Sequence, residues 1–156
     1  LGDTAFVIEW HVLGMFAPSF FTGSLIRRFG VLPVMRTGAL LNAACVAVNL
    51  SGTSLAHYWL ALTLLGVGWN FLFIGATTLL TDAYTPAEKA KTQALNDFLV
   101  FTTVTLAVLF AGHLQHHFGW RAVNYGVMPM IVLTLAAVAW LLRVRHSAPV
   151  AASRDG

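Results

Sequence analysis

Five runs of about 20 residues, each nearly free of charge, take up most of this sequence: 7–26, 31–50, 58–81, 94–114 and 122–142. A bilayer core of about 30 Å is crossed by about 20 apolar residues as helix. In lipid a backbone must satisfy its own polar groups, which leaves helices and closed barrels. No run alternates apolar and polar residues with period two, which argues against a barrel. The expected fold is an all-α membrane protein with five transmembrane helices over 1–146. A disordered cytoplasmic tail is expected over 147–156. Composition points the same way: 58% of residues are hydrophobic and 10% charged. A soluble domain is nearer a quarter charged, so water cannot be the solvent around most of this chain.

The joints between runs are short and polar. Gly30 and Pro33 punctuate the first, and Ser51-Gly52-Thr53-Ser54 the second. The third, "TDAYTPAEKAKTQ", contains a helix start. Thr85 is the expected N-cap, Pro86 the first helical residue, and Glu88 the return arm of a capping box. The fourth is "HLQHHFGWRAVNYG". The first residue is Leu1, which suggests a fragment or a processed product, and no basic region precedes the first run as in a secretory signal.

Alternation of sides sorts the basic residues. One side receives Arg27, Arg28, Arg36, Lys89, Lys91, Arg143, Arg145 and Arg154; the other receives Arg121 alone. Basic residues mark the cytoplasmic side, so the N-terminal end is expected outside and the C-terminus in the cytoplasm. Trp10, Tyr58, Trp59, Trp120 and Tyr125 fall at the outer boundaries, as interfacial aromatics do. The basic residues form no single stripe, which excludes a nucleic-acid partner. Cys45, the only cysteine, sits among small apolar residues and reads as packing.

Polar groups inside the spans are the candidates for function, because lipid penalises them. Ala61, Gly68, Gly75 and Asp82 recur every seven residues and make a stripe for close helix approach. Trp69 and Asn70 lie near mid-depth, and Phe73 and Thr77 continue their face. Such a set can stack on and hydrogen-bond a substrate, or simply pack and bond to neighbouring helices. Asn96 and Asp97 lie one turn inside the cytoplasmic boundary, where a carboxylate can hold a gate or exchange a proton. Asp82 is expected to pair with Arg27, Arg28 or a lysine. Glu9 and His11 flank the outer end of the first run. Pro18 and Pro129 should bend their spans, and Asn42 and Asn49 should bond to helices. His113, His116 and His117 have helix-face spacing, but no cysteine or carboxylate completes a metal set, so they read as interfacial. No nucleophile, metalloprotease or phosphate-loop motif appears, and no cofactor or enzyme activity is expected.

"GSLIRRFG", Gly23 to Gly30, followed by Arg36, resembles the cytoplasmic loop signature of the major facilitator superfamily. Gly23, Leu25, Arg28 and Gly30 match it. Arg27 stands where the strong form has aspartate, as in the degraded copy between the eighth and ninth helices. "LGVGWNFLFIGATTLLTDAYTPAEKAKTQALNDFLVF" is similar to the tenth and eleventh helices of bacterial members. The resemblance covers essentially the whole chain and implies the last five helices of a twelve-helix permease. It implies a bacterial inner-membrane transporter of a small molecule that works by alternating access with an N-terminal half, often coupled to protons. A non-transporting membrane scaffold is the alternative that the small-residue stripe serves equally well.

Overall fold

The structure, a computed structural model, describes the backbone of residues 2–147 and the side chains of 2–144. The tail expected over 147–156 lies, apart from Ser147, outside the described residues. Among the described residues every element is helical: α1 (Gly2–Phe16), α2 (Ser19–Phe29), α3 (Val31–Ser51), α4 (Leu55–Thr81) and α5 (Lys89–Ser147). Three helices, α3, α4 and α5, are each long and apolar enough to cross a membrane. The α1–α2 pair passes as a fourth if it counts as one span bent by 42°.

The bend between α1 and α2 falls at Pro18, as the sequence predicts. Proline has no N–H for the carbonyl four residues back, and its ring crowds that carbonyl. The Thr22 N–H then returns to Pro18 O at 2.8 Å and α2 continues. Gly30 separates α2 from α3 in a single residue, with φ 88° and its N–H on Ile26 O at 2.9 Å. Only glycine adopts that φ without strain. Pro33 follows in the first turn of α3, where no intrahelical N–H is needed.

The start of α5 differs in detail from the expected capping box. Glu88 Oε2 accepts from the Thr85 N–H at 3.2 Å, which is the return arm of the box. The Thr85 hydroxyl donates to the same oxygen at 2.7 Å instead of accepting from the helix. Residues 86–88 are therefore a turn, and regular helix begins at Lys89. This pair holds the Glu88 carboxyl below its ordinary value, the side-chain hydrogen bond from Thr85 being the larger cause and its backbone N–H the second.

The fourth joint is much shorter than the sequence suggests. Helix runs on to Phe118 and resumes at Trp120, and Gly119 alone leaves helical geometry with φ 78° and ψ −179°. Residues 114 and 126 would stand about 18 Å apart along one straight helix. Yet a methyl group placed on Gly126 would lie 3.3 Å from Leu114 Cδ1. The chain therefore doubles back at Gly119, and α5 is two arms of a hairpin. Pro129 lies inside the second arm, and the residue of α5 whose φ and ψ leave the helical region is Gly119.

Helix packing follows from where side chains are smallest. A Cβ on Gly68 would meet Asn42 Oδ1 and the Gly38 carbonyl, and one on Gly75 would meet Met35. These positions bring α3 and α4 together antiparallel. Gly66 faces His11 and Gly14 in the same way, which sets α1 parallel to α4. Ala61, of the same seven-residue stripe, is fully buried. The second arm of α5 lies along α3. Trp120 Nε1 donates to Asn49 O at 3.3 Å at one end, and Val138 packs with Leu32 and Met35 at the other. Close packing of small residues is the main attraction available between helices in lipid, because lipid tails are as apolar as leucine.

The outside of this bundle is strongly apolar. Phe20 is 89% exposed, and every residue of 101–110, on the first arm of α5, is exposed. Contiguous apolar surface of this kind requires lipid or a protein partner against it.

Candidate functional site

The site residues expected on α4 divide into two groups. Asn70 is buried, 3% exposed, and faces the α1–α2 bend. Its amide nitrogen donates to Met15 O at 2.7 Å and to Ser19 Oγ at 2.6 Å. Its oxygen accepts from Thr22 Oγ at 2.7 Å. Proline at the bend frees backbone acceptors inside the bundle, and Asn70 reaches across to bond beside them. Thr22 is fully buried, and its one hydroxyl proton has two acceptors, Asn70 Oδ1 and Pro18 O at 2.8 Å. Three side chains from α4 and α2, with one backbone carbonyl of α1, thus close around one bend.

Trp69, Phe73 and Thr77 are less enclosed. The Trp69 and Phe73 rings stack with centroids 5.8 Å apart and planes inclined by 14°. Phe73 is 39% exposed. It opens onto a shallow groove of about 240 Å³ that Ile74, Thr77, Thr78 and Thr81 also line. The threonine hydroxyls bond back into their own helix: Thr77 to Phe73 O at 2.9 Å, Thr78 to Ile74 O at 2.7 Å, Thr81 to Thr78 O at 2.6 Å. Their protons are committed, and their oxygen lone pairs remain available as acceptors.

Asn96 and Asp97 stand elsewhere. Asp97 lines a second groove of about 380 Å³ on the first arm of α5, with Phe98, Phe101, Thr102, Thr105 and Leu106. Asn96 Nδ2 donates to Asp97 Oδ1 at 3.3 Å. The two grooves share no lining residue. The structure therefore does not join the carboxylate to the α4 set, although both face outward from the packed bundle.

The loop signature occupies the α2–α3 turn. Arg27 donates to Ser24 Oγ at 2.9 Å, and the Arg28 guanidinium lies 5.2 Å from the Phe29 ring centre. Gly23 is half-buried and Arg36 exposed. Asp82 does not make the expected ion pair with Arg27, Arg28, Lys89 or Lys91. It caps the end of α4 and points to solvent, and its backbone N–H bonds to the carbonyls of Leu79 and Leu80.

Several residues at the N-terminal end of α1 and α4 hold helices together. His11 Nδ1 meets Leu62 O at 2.8 Å, so it is tied to α4, whereas Glu9 is exposed. Trp10 packs on Trp59, and Tyr58 on Trp120, both edge to face. Asn49 reaches only Cys45 Sγ of its own helix at 3.7 Å. Asn42 Oδ1, pressed against Gly68, has no hydrogen-bond partner among the described residues, so the expected bond to a neighbouring helix is not made through that oxygen. Near the hairpin turn the His117 ring meets His113 at a tilt of 50° and His116 edge to face, and no group of three ligands among the described residues is arranged to hold a metal ion.

Sequence reasoning missed Ser19 and Thr22. A usable signal was present: a threonine four residues after a mid-span proline sits one turn below the bend. It also missed Thr78 and Thr81, which turn the Phe73–Thr77 stripe into a groove.

The family model described as Major Facilitator Superfamily matches residues 3–155. The riboflavin transporter RfnT of Brucella anthropi is 48% identical over 141 residues, which cover 90% of this chain and 35% of that protein. Two uncharacterised MFS-type transporters of Bacillus subtilis, YddS and YdeG, are 32% and 31% identical over 92% and 90% of this chain, and 33% of each is covered. The chain spans about a third of the length of the curated relatives it matches. No solved structure matches it.

Proposed function

We propose, for a chain that belongs to the major facilitator superfamily, that it forms the C-terminal half of a secondary transporter working by alternating access. It crosses the inner membrane five times, through α1–α2 as one bent span, α3, α4 and the two arms of α5. The α2–α3 turn and the C-terminus face the cytoplasm, and Gly119 marks an outer turn. The hairpin at Gly119 and the basic residues of the α2–α3 turn support this arrangement. An N-terminal half covers the exposed apolar surface of the first arm of α5.

Trp69, Phe73 and Thr77 contact the substrate from this half, and Asn70 fixes their helix against the bend. Asp97, with Asn96 beside it, carries the coupling proton or holds the cytoplasmic gate. Protonation of a carboxylate on an otherwise apolar helix is an economical way to link a gate to a proton gradient.

The observation that carries the reading is the 48% identity to a riboflavin transporter over 90% of this chain. Riboflavin is accordingly the first substrate to test. The whole transporter, reconstituted in proteoliposomes with an imposed inward proton gradient, should accumulate labelled riboflavin, and Asp97→Asn should remove the dependence on that gradient. Uptake of no solute from a broad panel of vitamins, sugars, amino acids and drugs contradicts the transporter reading. Gradient-driven uptake that is unchanged in Asp97→Asn removes Asp97 from the mechanism.

A further inference from the structure

We propose that Trp69 and Phe73 form a flat wall that selects a neutral, fused-ring heteroaromatic bearing a ring N–H. Recognition by this half then rests on the ring and not on any polyol chain attached to it. The proposal rests on the transporter reading above and deepens it.

Ring geometry sets this pair apart. The other pairs formed by Trp, Tyr and Phe among the described residues meet edge to face: Phe6–Trp10 at 65°, Trp10–Trp59 at 81° and Tyr58–Trp120 at 73°. Two of these three pairs bridge separate helices and are consumed in packing. Trp69 and Phe73 are on one helix, four residues apart, and lie nearly parallel at 14°. In such a stack Trp69 backs Phe73, and a flat guest prefers to continue the stack on a ring face left open. Phe73 keeps 39% of its surface open.

The polar chemistry beside that wall points the same way. Thr77, Thr78 and Thr81 have given their protons to backbone carbonyls, so the groove offers acceptors. A ligand edge that donates an N–H fits, and one that only accepts does not. No charged side chain lines the groove, so a neutral ligand suits it. Asn70, next to Trp69 on α4, is saturated by Met15, Ser19 and Thr22 and has no amide hydrogen left over for a ligand. The groove of about 240 Å³ is smaller than most complete ligand sites, as half of a shared cavity would be.

The test uses the whole transporter in proteoliposomes with labelled riboflavin and two competitors. Lumichrome has the tricyclic ring and its N–H without the chain; ribitol has the chain without the ring. Lumichrome should inhibit uptake with a Ki within about tenfold of the riboflavin KM, and ribitol should not compete. Trp69→Leu and Phe73→Leu should each raise KM and the lumichrome Ki about tenfold, on the order of one stacking contact. Trp69→Phe and Phe73→Tyr should restore most of the loss. Competition by ribitol without lumichrome, or Leu variants with unchanged KM and Ki, overturns the proposal. The competition arm needs no substitution, so it decides even where a Leu variant fails to insert. A wild type that concentrates another class of solute but neither binds nor moves the flat rings overturns the wall and leaves the transporter reading intact. One that concentrates nothing removes both.

Discussion

At Asn70 a single amide ties three segments of chain together. Its three bonds reach Met15, Ser19 and Thr22, all at or next to the bend that Pro18 makes. Interhelical hydrogen bonds in membrane proteins average about 0.6 kcal/mol and reach about 1.7 kcal/mol. The Thr22–Asn70 bond is fully buried and belongs at the upper end of that range. A double-mutant cycle with Thr22→Val and Asn70→Ala, read by unfolding in mixed micelles, should give a coupling energy of about 1–1.7 kcal/mol. A coupling indistinguishable from zero would show that each side chain acts alone. The sequence made Asn70 visible, because an amide at mid-depth is costly without partners. It left the partners invisible, because 48 to 55 residues separate them from it and no local pattern records that pairing.

Among the helices, α4 is organised by glycines and α5 by its ends. Gly68 and Gly112 are both helical glycines in very different surroundings. A methyl at Gly68 would meet Asn42 Oδ1 and the Gly38 carbonyl, whereas nothing lies within 4 Å of one at Gly112. Gly68→Ala should therefore destabilise the bundle by about 1–3 kcal/mol through overpacking. Gly112→Ala should be neutral or stabilising by up to about 1 kcal/mol through helix propensity. Equal effects in a detergent-unfolding assay would contradict the α3–α4 packing.

The cap at Thr85–Glu88 has a definite pH sign. Its carboxyl is held below the ordinary value of 4.5, so its contribution is full above that pH and is lost as pH falls through the lowered value. Hydrogen-exchange protection at the start of α5 should weaken over that interval. The same pH step should have no such effect in Glu88→Ala, and equal loss of protection in both proteins would rule out the cap as its cause. The Pro18 bend and the Gly30 joint were legible because proline and glycine act within one turn. The sharpness of the Gly119 reversal was not, since "HHFGWR" carries a single glycine with no second turn residue beside it. The missing Asp82 ion pair has a similar cause: charge complementarity in sequence does not bring exposed side chains together.

For the whole molecule, the distribution of surface is the main constraint. Small residues bury α4 between α1 and α3, while the first arm of α5 stays exposed along 101–110. A helix so apolar and so uncovered fits one half of a larger bundle in lipid. The fold class was readable from the length and charge of the apolar runs. The α4 groove was half readable, through Phe73 and Thr77 at helical spacing. Its separation from Asp97 was not, because nothing in the sequence fixes how α5 sits against α4.

Five crossings with the α2–α3 turn inside underlie the proposed transport, and thiol accessibility tests them most directly. In a Cys45→Ala background, single cysteines replace Ser24, Gln115 and Ser153 in intact cells exposed to an impermeant maleimide. The account predicts that Gln115→Cys labels from outside, while Ser24→Cys and Ser153→Cys label only after permeabilisation. Labelling of Ser24→Cys in intact cells would contradict the orientation, and labelling of Ser153→Cys there would contradict the fifth crossing.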